Sequence, residues 1–280
     1  MRKIDTQKIT EVVKRLCMEA NYYLGDDIVK ALKKAQRIEE SPIGKEIIKQ
    51  ILENSQIARK EKLPICQDTG FVVVFLELGQ KINITGGELY EAINEGVRQG
   101  YRSGFLRNSI VKDPLKRENT GDNTPAVIHT EIVAGDKLKI TVAPKGCGSE
   151  NMSEIKMMSP SDGICRVVDF VVDRVNRSGG NPCPPIIVGV GIGGTFEKCA
   201  QLAKQALLRT VGIRNPDSFY ADLEKRLLEK INNLGIGPMG LGGRVTALDV
   251  FVETYPCHIA GLPVAVNIQC HAARHKEAVI

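Results

Sequence analysis

Three short apolar segments, each bordered by a turn that carries a cysteine, constrain the fold of this chain most strongly. Cys66 precedes the segment 71–76, Cys183 precedes 186–190, and Cys270 follows 264–268. Because turn residues (Pro, Gly or Gln) flank each segment, the three segments predict β-strands. We therefore expect sheets whose strand ends present thiols on stiff turns. For Cys66 taken alone, a half-buried thiol in a surface loop is an equally good interpretation.

The N-terminal part of the chain predicts helices. Apolar residues recur at helical spacing over residues 5–24, a second helix is predicted for 26–40, and Ser41-Pro42 marks the start of a third. No residue in this part suggests chemistry. We expect residues 1–62 to form a helical layer that covers a sheet or meets a partner.

The rest of the chain predicts a mixture of strands and helices. Strands are predicted at 71–78, 126–134, 137–143, 186–190, 247–255 and 264–268, and helices at 89–100, 162–176, 196–210 and 219–232. The segments 126–134 and 137–143 are separated by Gly135-Asp136, which predicts a hairpin. The fold class predicted is mixed α/β (α+β), a single domain over 1–280 with one or two mixed sheets and its glycine-rich turns gathered at one end.

The composition narrows the class of function. The chain has 280 residues and a net charge of +5, and its basic residues are dispersed. With 5% aromatic residues and no Trp, a nucleic-acid groove is poorly supported. No apolar run approaches the ~20 residues of a membrane span, and no signal peptide follows Met1. We expect a cytoplasmic protein whose modest positive field suits small anionic substrates.

The eight cysteines fall into groups. Without an export signal, metal or cluster ligation is a better use for surplus thiols than disulfides. No C-x-x-C pair is present, so zinc-ribbon and ferredoxin spacings are absent. Three separated thiolates would leave one iron of a cubane cluster open. The strand-edge thiols Cys66, Cys183 and Cys270 are the candidates. Cys17, Cys165 and Cys199 lie in helical patterns, and we expect them to be small core residues. Cys147 and Cys257 are ambiguous.

Several polar turns have both a structural and a chemical interpretation. The turn 144–151 is rich in glycine and offers backbone N–H groups to an anion, although turn geometry alone explains its glycines. Arg107 lies in a polar loop, where it is either solvated or a carboxylate clamp. Asp68 could cap its own turn. A lone histidine is more often a structural hydrogen-bonding group than a catalytic one, and we expect this of His129, His271 and His275.

Gly189, Gly191 and Gly194 fit the G-x-G-x-x-G pattern of a dinucleotide site. The pattern requires a second strand roughly 20 residues further on, ending in an acidic residue. Here Asn215-Pro216-Asp217 opens a helix instead, which argues against a dinucleotide site. A helix N-terminus facing a carboxylate explains the same glycines.

Four motifs in order along the chain resemble the class I, iron–sulfur-dependent fumarate hydratases. They are Cys66-Gln67-Asp68-Thr69-Gly70, the segment 145–151, the segment 180–185 with the glycines that follow it, and His258 with Cys270. The likeness runs from about residue 10 to the C-terminus. More narrowly, the chain resembles the alpha subunit of the two-subunit type or the N-terminal half of the single-chain type. Cys147 stands where the family pattern has a glycine, which makes it a further candidate for ligation.

The resemblance implies a site. Cys66, Cys183 and Cys270 would hold a [4Fe–4S] cluster whose fourth iron meets the substrate. The substrate-site positions would be Gln67, Asp68, Arg107 and Gly148, and His258 would lie near the reacting centre. A Lewis-acidic iron stabilises the expelled hydroxide, and Asp68, helped by His258, would protonate it. The base for the C3 proton has no candidate here, and the family places it on the other (beta) subunit or on a C-terminal domain.

The resemblance leaves more than one function open. The first is a hydro-lyase subunit that interconverts fumarate and L-malate, a reaction of the tricarboxylic acid cycle. The second is the alpha subunit of L-tartrate dehydratase, which is closely similar. A third, from another class, is a non-catalytic nucleotide- or metal-binding partner protein built around residues 189–194.

Overall fold

A computed structural model describes all 280 residues, which form two compact units. The first unit contains residues 1–25, 54–147 and 274–280, and the second contains residues 26–53 and 148–273. Each unit is therefore assembled from separate stretches of the chain and has a sheet and an apolar core of its own.

The elements follow one another in a mixed order. From the N-terminus they are β1 (Arg2–Asp5), α1 (Thr6–Tyr22), α2 (Asp26–Ile38), α3 (Pro42–Glu61), β2 (Phe71–Gly79), β3 (Ile82–Thr85), α4 (Leu89–Ser103), β4 (Val127–Val133), β5 (Leu138–Lys145), α5 (Cys147–Glu150), β6 (Glu154–Met158), α6 (Gly163–Ser178), β7 (Ile186–Gly193), α7 (Phe196–Ala206), α8 (Ser218–Asn232), β8 (Ala247–Tyr255), β9 (Leu262–Gln269) and β10 (Lys276–Val279). The mixed α/β class is confirmed.

The N-terminal helices lie close to where the sequence predicts them. Asp5 caps α1 by accepting the Gln7 N–H. Of the three helices, α1 belongs to the first unit, α2 to the second, and α3 contributes residues to both. No helix in the chain is long and apolar enough to cross a membrane.

The first unit is built on a four-stranded sheet of order β10-β5-β2-β4. The predicted hairpin of β4 and β5 is wrong, because β2 lies between them, parallel to β4 and antiparallel to β5. The reason is burial: β2 is apolar and buried along most of its length, and each neighbour covers one of its edges. A short parallel pair of β1 and β3 adds a two-stranded sheet, so there are three sheets instead of one or two.

Helices α1 and α4 cover one face of this first sheet. They pack against each other and against the apolar side chains of β2 and β5. Two glycines of α4 make the close approach possible, since an added Cβ would lie 2.8 Å from Thr10 O at Gly96 and 2.9 Å from Lys14 O at Gly100. The predicted site residues of this unit lie instead at the end of the sheet where β2 begins and β5 ends.

The second unit is built on a sheet of order β6-β9-β7-β8. Strand β7 runs parallel to β8 and antiparallel to β9. Helices α6 and α8 bury one face of this sheet through a continuous apolar core. Helix α7 packs on the opposite face, against β7 and β9.

The glycines that resemble a dinucleotide motif are explained by this packing of α7. An added Cβ would lie 2.1 Å from Ala203 O at Gly189 and 2.2 Å from Cys199 O at Gly191. These distances are far below van der Waals contact, so only glycine lets α7 lie directly on β7. A nucleotide is not needed to account for Gly189 and Gly191.

Candidate functional site

Asp68 connects two of the predicted turns within the first unit. Its Oδ1 accepts the Gly70 N–H at 3.0 Å, and its Oδ2 accepts the Cys147 N–H at 2.9 Å. The first bond closes the turn before β2, as the structural interpretation of Asp68 predicts. The second bond joins this turn to the glycine-rich turn after β5, so both turns lie at one end of the sheet.

Gly70 allows these two turns to touch. Its φ of +72° is in the region that favours glycine, and an added Cβ would lie 2.4 Å from the backbone of Lys145. The hydroxyl of Tyr101 donates to the carbonyls of Thr69 (2.9 Å) and Gly70 (3.0 Å) from the interior. Burial raises the pKa of Tyr101 above its usual value, so the hydroxyl keeps its proton and remains a donor.

Arg107 is attached to the same turn through its backbone. Thr69 Oγ1 accepts the Arg107 N–H at 2.9 Å, which fixes the loop that follows α4. Asn123 holds the same region from its other side, donating to Gly70 O at 3.2 Å and accepting the Ser109 N–H. The guanidinium of Arg107 itself is exposed. A fixed backbone with an exposed guanidinium suits the clamp that the sequence suggests.

Cys66 and Gln67 lie at the outer side of this turn. Cys66 is half-buried, and its thiol donates to Gln67 Oε1 at 3.3 Å. Gln67 is exposed. The first unit therefore brings together Cys66, Gln67, Asp68 and the backbone of Arg107, which are four of the eight predicted site residues.

The second unit brings together Cys183 and Cys270. They lie at the end of its sheet where β7 begins and β9 ends. The Cys183 carbonyl oxygen lies 2.9 Å from His271 Nδ1 and accepts the His271 backbone N–H at 3.4 Å. His271 is thus the structural hydrogen-bonding group expected, and it ties the Cys183 turn to the residue after Cys270.

The Cys183 turn is constrained further by its own backbone. Cys183 has a φ of +55°, which is uncommon for a non-glycine residue and costs about 1 kcal/mol or more. Its N–H donates to Gly180 O at 3.0 Å. Gly148 lies beside this turn, since an added Cβ there would lie 3.6 Å from Asn181 O. The second unit therefore holds Gly148, Cys183 and Cys270 at one end of its sheet.

A polar group that the sequence did not reveal lies next to this end of the second sheet. The carboxylate of Glu150 pairs with the ammonium of Lys204 and accepts a hydrogen bond from the side-chain amide of Asn267 at 3.0 Å. The same amide also donates to Ser153. The buried Oε1 of Gln269, directly before Cys270, has no hydrogen-bond partner. A buried polar atom left without a partner indicates that a further group or water belongs beside it.

His258 lies elsewhere in the second unit. His258 follows β8 and precedes β9, whereas Cys270 follows β9. The eight residues of β9 therefore separate His258 from Cys270. At ~3.4 Å per residue this is roughly 25 Å. His258 is exposed, and its Nδ1 accepts the Ala260 N–H at 3.1 Å. The geometry of this unit does not bring His258 to Cys183 and Cys270.

The remaining cysteines differ in exposure. Cys17 and Cys199 are buried, and burial raises the pKa of each thiol to about 12, as suits the core residues predicted. The prediction that Cys165 is a core residue is wrong, because it is exposed. The buried stripe of α6 runs through the valines and Phe170, and Cys165 lies off it. Cys147 and Cys257 are exposed as well.

The donor set fits an iron–sulfur cluster in its chemistry. Cys66, Cys183 and Cys270 are the three half-buried thiols, each at a strand end, and the orphan Gln269 Oε1 lies beside one of them. Thiolates are the usual ligands of such clusters. Within each unit no three His, Cys, Asp or Glu side chains lie together as a ready metal site.

Comparisons with known proteins agree with these motifs. The family model described as Fumarate hydratase (Fumerase) matches residues 10–279. A protein of Methanocaldococcus jannaschii, provisionally named L(+)-tartrate dehydratase subunit alpha, is 48% identical over 273 residues, which are 95% of each chain. The L(+)-tartrate dehydratase subunit alpha of Escherichia coli O157:H7 is 35% identical over 276 residues, 98% of this chain and 91% of the relative. The chain therefore belongs to the fumarate hydratase (Fumerase) family.

Proposed function

We propose that this chain is the catalytic alpha subunit of an iron–sulfur hydro-lyase that interconverts fumarate and L-malate in the cytoplasm, as in the tricarboxylic acid cycle. The reaction class, a hydro-lyase, follows from the family. The observation that carries the proposal is that, apart from His258, the motif residues of each unit lie together at one end of its sheet. Gln67, Asp68 and Arg107 meet in the first unit, and Cys183 and Cys270 in the second.

Cys66, Cys183 and Cys270 would hold a [4Fe–4S] cluster. Their partial exposure supports this assignment, since Cys17 and Cys199 are fully buried with raised pKa values and make poor ligands. The cluster, when bound, supplies a Lewis-acidic iron that makes hydroxide a better leaving group. Cys147 is exposed, and its backbone N–H is donated to Asp68. We assign Cys147 to the turn and leave it out of the ligand set.

The carboxylates of the substrate would be anchored by Arg107 and by the backbone of Gly148, with Gln67 as a further polar contact. The guanidinium of Arg107 is exposed on a backbone fixed by Thr69, so it is free to form a bidentate pair. Gly148 is the second residue of the one-turn helix α5, where backbone N–H groups have no intrahelical partner.

Asp68 would deliver the proton that converts the leaving hydroxide to water. Its two bonds to backbone N–H groups hold the carboxyl at a fixed place between the two turns. A helping role for His258 stays a prediction without support from the second unit, where His258 lies at the opposite end of the sheet from Cys183 and Cys270. The base that removes the C3 proton would come from a separate beta subunit, because the relatives are named alpha subunits.

L-Tartrate is a second candidate substrate. The relatives at 48% and 35% identity are named as tartrate dehydratase subunits, which favours it. Malate and tartrate are both C4 dicarboxylates with a hydroxyl group next to a carboxylate, and Arg107, Gly148 and Asp68 would serve either. The difference between the two substrates is one further hydroxyl group.

The test is turnover by the chain purified anaerobically with its partner subunit and reconstituted with iron and sulfide. We expect formation of fumarate from L-malate, followed at the ultraviolet absorbance of the alkene, and a loss of at least 100-fold for Asp68→Asn. Faster turnover of L-tartrate would assign the second substrate. No turnover of either by a complex that carries its cluster would contradict the proposal. Arg102→Gln, which removes an exposed arginine of the first unit, is the matched control for Arg107→Gln.

A further inference from the structure

Arg274 is a buried arginine without a carboxylate partner. Only 3% of the residue is exposed, and its Nη1 donates to the side-chain oxygen of Asn21 at 3.1 Å. Its Nε is buried and has no hydrogen-bond partner. Burial of a guanidinium against a neutral amide alone is unfavourable, so the position indicates a demand beyond packing.

The free edge of this guanidinium faces the candidate site. Nε and Nη2 form the planar two-donor edge that matches a carboxylate, and Nη1 is already engaged by Asn21. A Cβ added at Gly146 would lie 3.4 Å from Arg274 Nη2 and 3.0 Å from Asp68 Oδ2. The guanidinium and the carboxylate therefore both border the space that the missing side chain of Gly146 leaves open.

Arg274 also reaches the Cys66 turn by a second route. Asn21, which accepts its Nη1 donor, accepts the Ile65 N–H with its backbone carbonyl at 3.0 Å. The Ile65 carbonyl accepts from Asn54 Nδ2 at 2.8 Å. Both backbone groups of the residue before Cys66 are thus held, one of them by the residue that binds Arg274.

We propose that Arg274 is a positioning residue for the turn that carries Cys66 and Asp68. It acts on Asp68 through charge across Gly146, and on Cys66 through Asn21 and Ile65. Arg274 touches neither substrate nor cluster in this role. Its consequence for catalysis rests on the proposed function, but the positioning itself can be measured on the cluster-free chain.

The test compares Arg274→Gln with the native full-length chain, and with Arg102→Gln as a matched control. The rate of alkylation of Cys66 by iodoacetamide is followed by mass spectrometry, with Cys257 of the second unit as the internal standard. Loss of a bond made by a charged group should raise the Cys66 rate by about tenfold relative to Cys257. Hydrogen–deuterium exchange should increase in peptides that cover residues 65–70 and remain unchanged in β5. An unchanged Cys66 rate, or an exchange increase spread over the whole first unit, would overturn the proposal.

Two further variants separate positioning from a general structural role. Arg274→Lys keeps the charge but not the two-donor edge, and it should raise the Cys66 rate about threefold. Because Arg274 acts partly through Asp68, this increase should be smaller in the Asp68→Asn background. An increase that persists unchanged in that background contradicts action through Asp68. If Arg274→Gln does not fold, these two variants decide the outcome.

These measurements need neither cluster nor turnover. A chain that fails to assemble a cluster, or to turn over either substrate, would refute the proposed function while leaving the alkylation result intact. If the complex is active but Cys66 of Arg274→Gln is alkylated at the native rate, only the role of Arg274 is refuted.

Discussion

The buried charged groups of the two units differ in how many of their hydrogen bonds are made. In the second unit, the fully buried Glu224 accepts from Arg209 and lies 3.6 Å from Arg214, and it also accepts the backbone N–H groups of Asn215 and Val252. In the first unit, the buried guanidinium of Arg274 is bound to one neutral amide. The hydrogen bonds of Glu224 are completed by arginines and backbone donors, whereas those of Arg274 are incomplete.

The difference separates structural charge from charge that serves a site. A buried ionic group whose hydrogen bonds are all made contributes to a unique fold. A buried charge that makes no direct ion pair and leaves a donor unpartnered destabilises the fold, and perturbed ionisable groups cluster at functional sites. The incomplete group lies beside Asp68 and the Cys66 turn, whereas the complete one lies between α8 and β8.

The largest effect is expected for Glu224→Gln. The substitution removes the carboxylate that Arg209 and Arg214 share, and it replaces one of two oxygens that accept a backbone N–H with an N–H₂ group, which should lower the free energy of unfolding by about 3–5 kcal/mol. Guanidinium chloride denaturation measures it. Glu253, whose side chain is 37% exposed, also pairs with Arg209 and is the control, with a loss of about 1 kcal/mol or less for Glu253→Gln. Equal losses of unfolding free energy for Glu224→Gln and Glu253→Gln would contradict the special role of the buried carboxylate.

A smaller effect is expected for Glu39→Gln, also in the second unit. Burial pushes the pKa of Glu39 up, but N–H donors from Glu40, Ser41, Arg244 and Val245 outweigh it and hold the pKa below the usual 4.5. The free energy of unfolding should fall by about 2–3 kcal/mol at pH 7.

The pH dependence of this Glu39 effect has a definite sign. Because the folded-state pKa is lowered, the carboxylate stabilises the fold above about pH 4.5, and this contribution is lost as the pH falls through the folded-state value. Urea denaturation should therefore show the native and variant curves converging below pH 4.5. A constant difference down to pH 3 would contradict the assignment. The exposed Glu40→Gln is the matched control, with little change expected.

Gly189→Ala should cost about 2 kcal/mol. The added methyl group would lie 2.1 Å from Ala203 O and must push α7 away from β7. The measurement is the thermal midpoint, and Gly261→Ala is the control, because its Cβ would meet no atom closer than 3.9 Å. Equal thermal midpoints for both variants would contradict the packing explanation and would favour a ligand at residues 189–194 instead.

The smallest effect concerns thiols outside the proposed ligand set. Cys165→Ser should change the free energy of unfolding by no more than about 0.5 kcal/mol, since Cys165 is exposed. In the folded chain, Cys17 and Cys199 should resist alkylation at pH 8, because burial raises both pKa values to about 12. Rapid modification of Cys17 in the folded chain would show that its burial is wrong.

Much of the local structure could be predicted from the sequence. The predicted strand 247–255 coincides with β8, the helices α1 and α8 lie within a few residues of their predicted ends, and α3 begins where it was predicted. These elements depend on apolar periodicity and on capping residues, which are local signals. The turns that carry Cys66, Cys183 and Cys270 could be found for the same reason.

Contacts between distant residues could not be predicted in this way. Strand β2 separates β4 from β5, and this pairing is a property of the assembled sheet. Tyr101 meets Thr69, and Arg274 meets Asn21, across separations of 32 and 253 residues. No periodicity links such pairs. The glycine pattern at 189–194 was ambiguous because close packing and phosphate binding both require a missing side chain.

The central claim is that Cys66, Cys183 and Cys270 together hold one cluster, and the iron content of the reconstituted chain tests it most directly. The native chain and the control Cys257→Ala, each treated anaerobically with iron and sulfide, should bind about four irons with a broad absorbance near 400 nm. Alanine at Cys66, Cys183 or Cys270 should each abolish most of that absorbance. Full iron binding by all three variants would contradict the assignment.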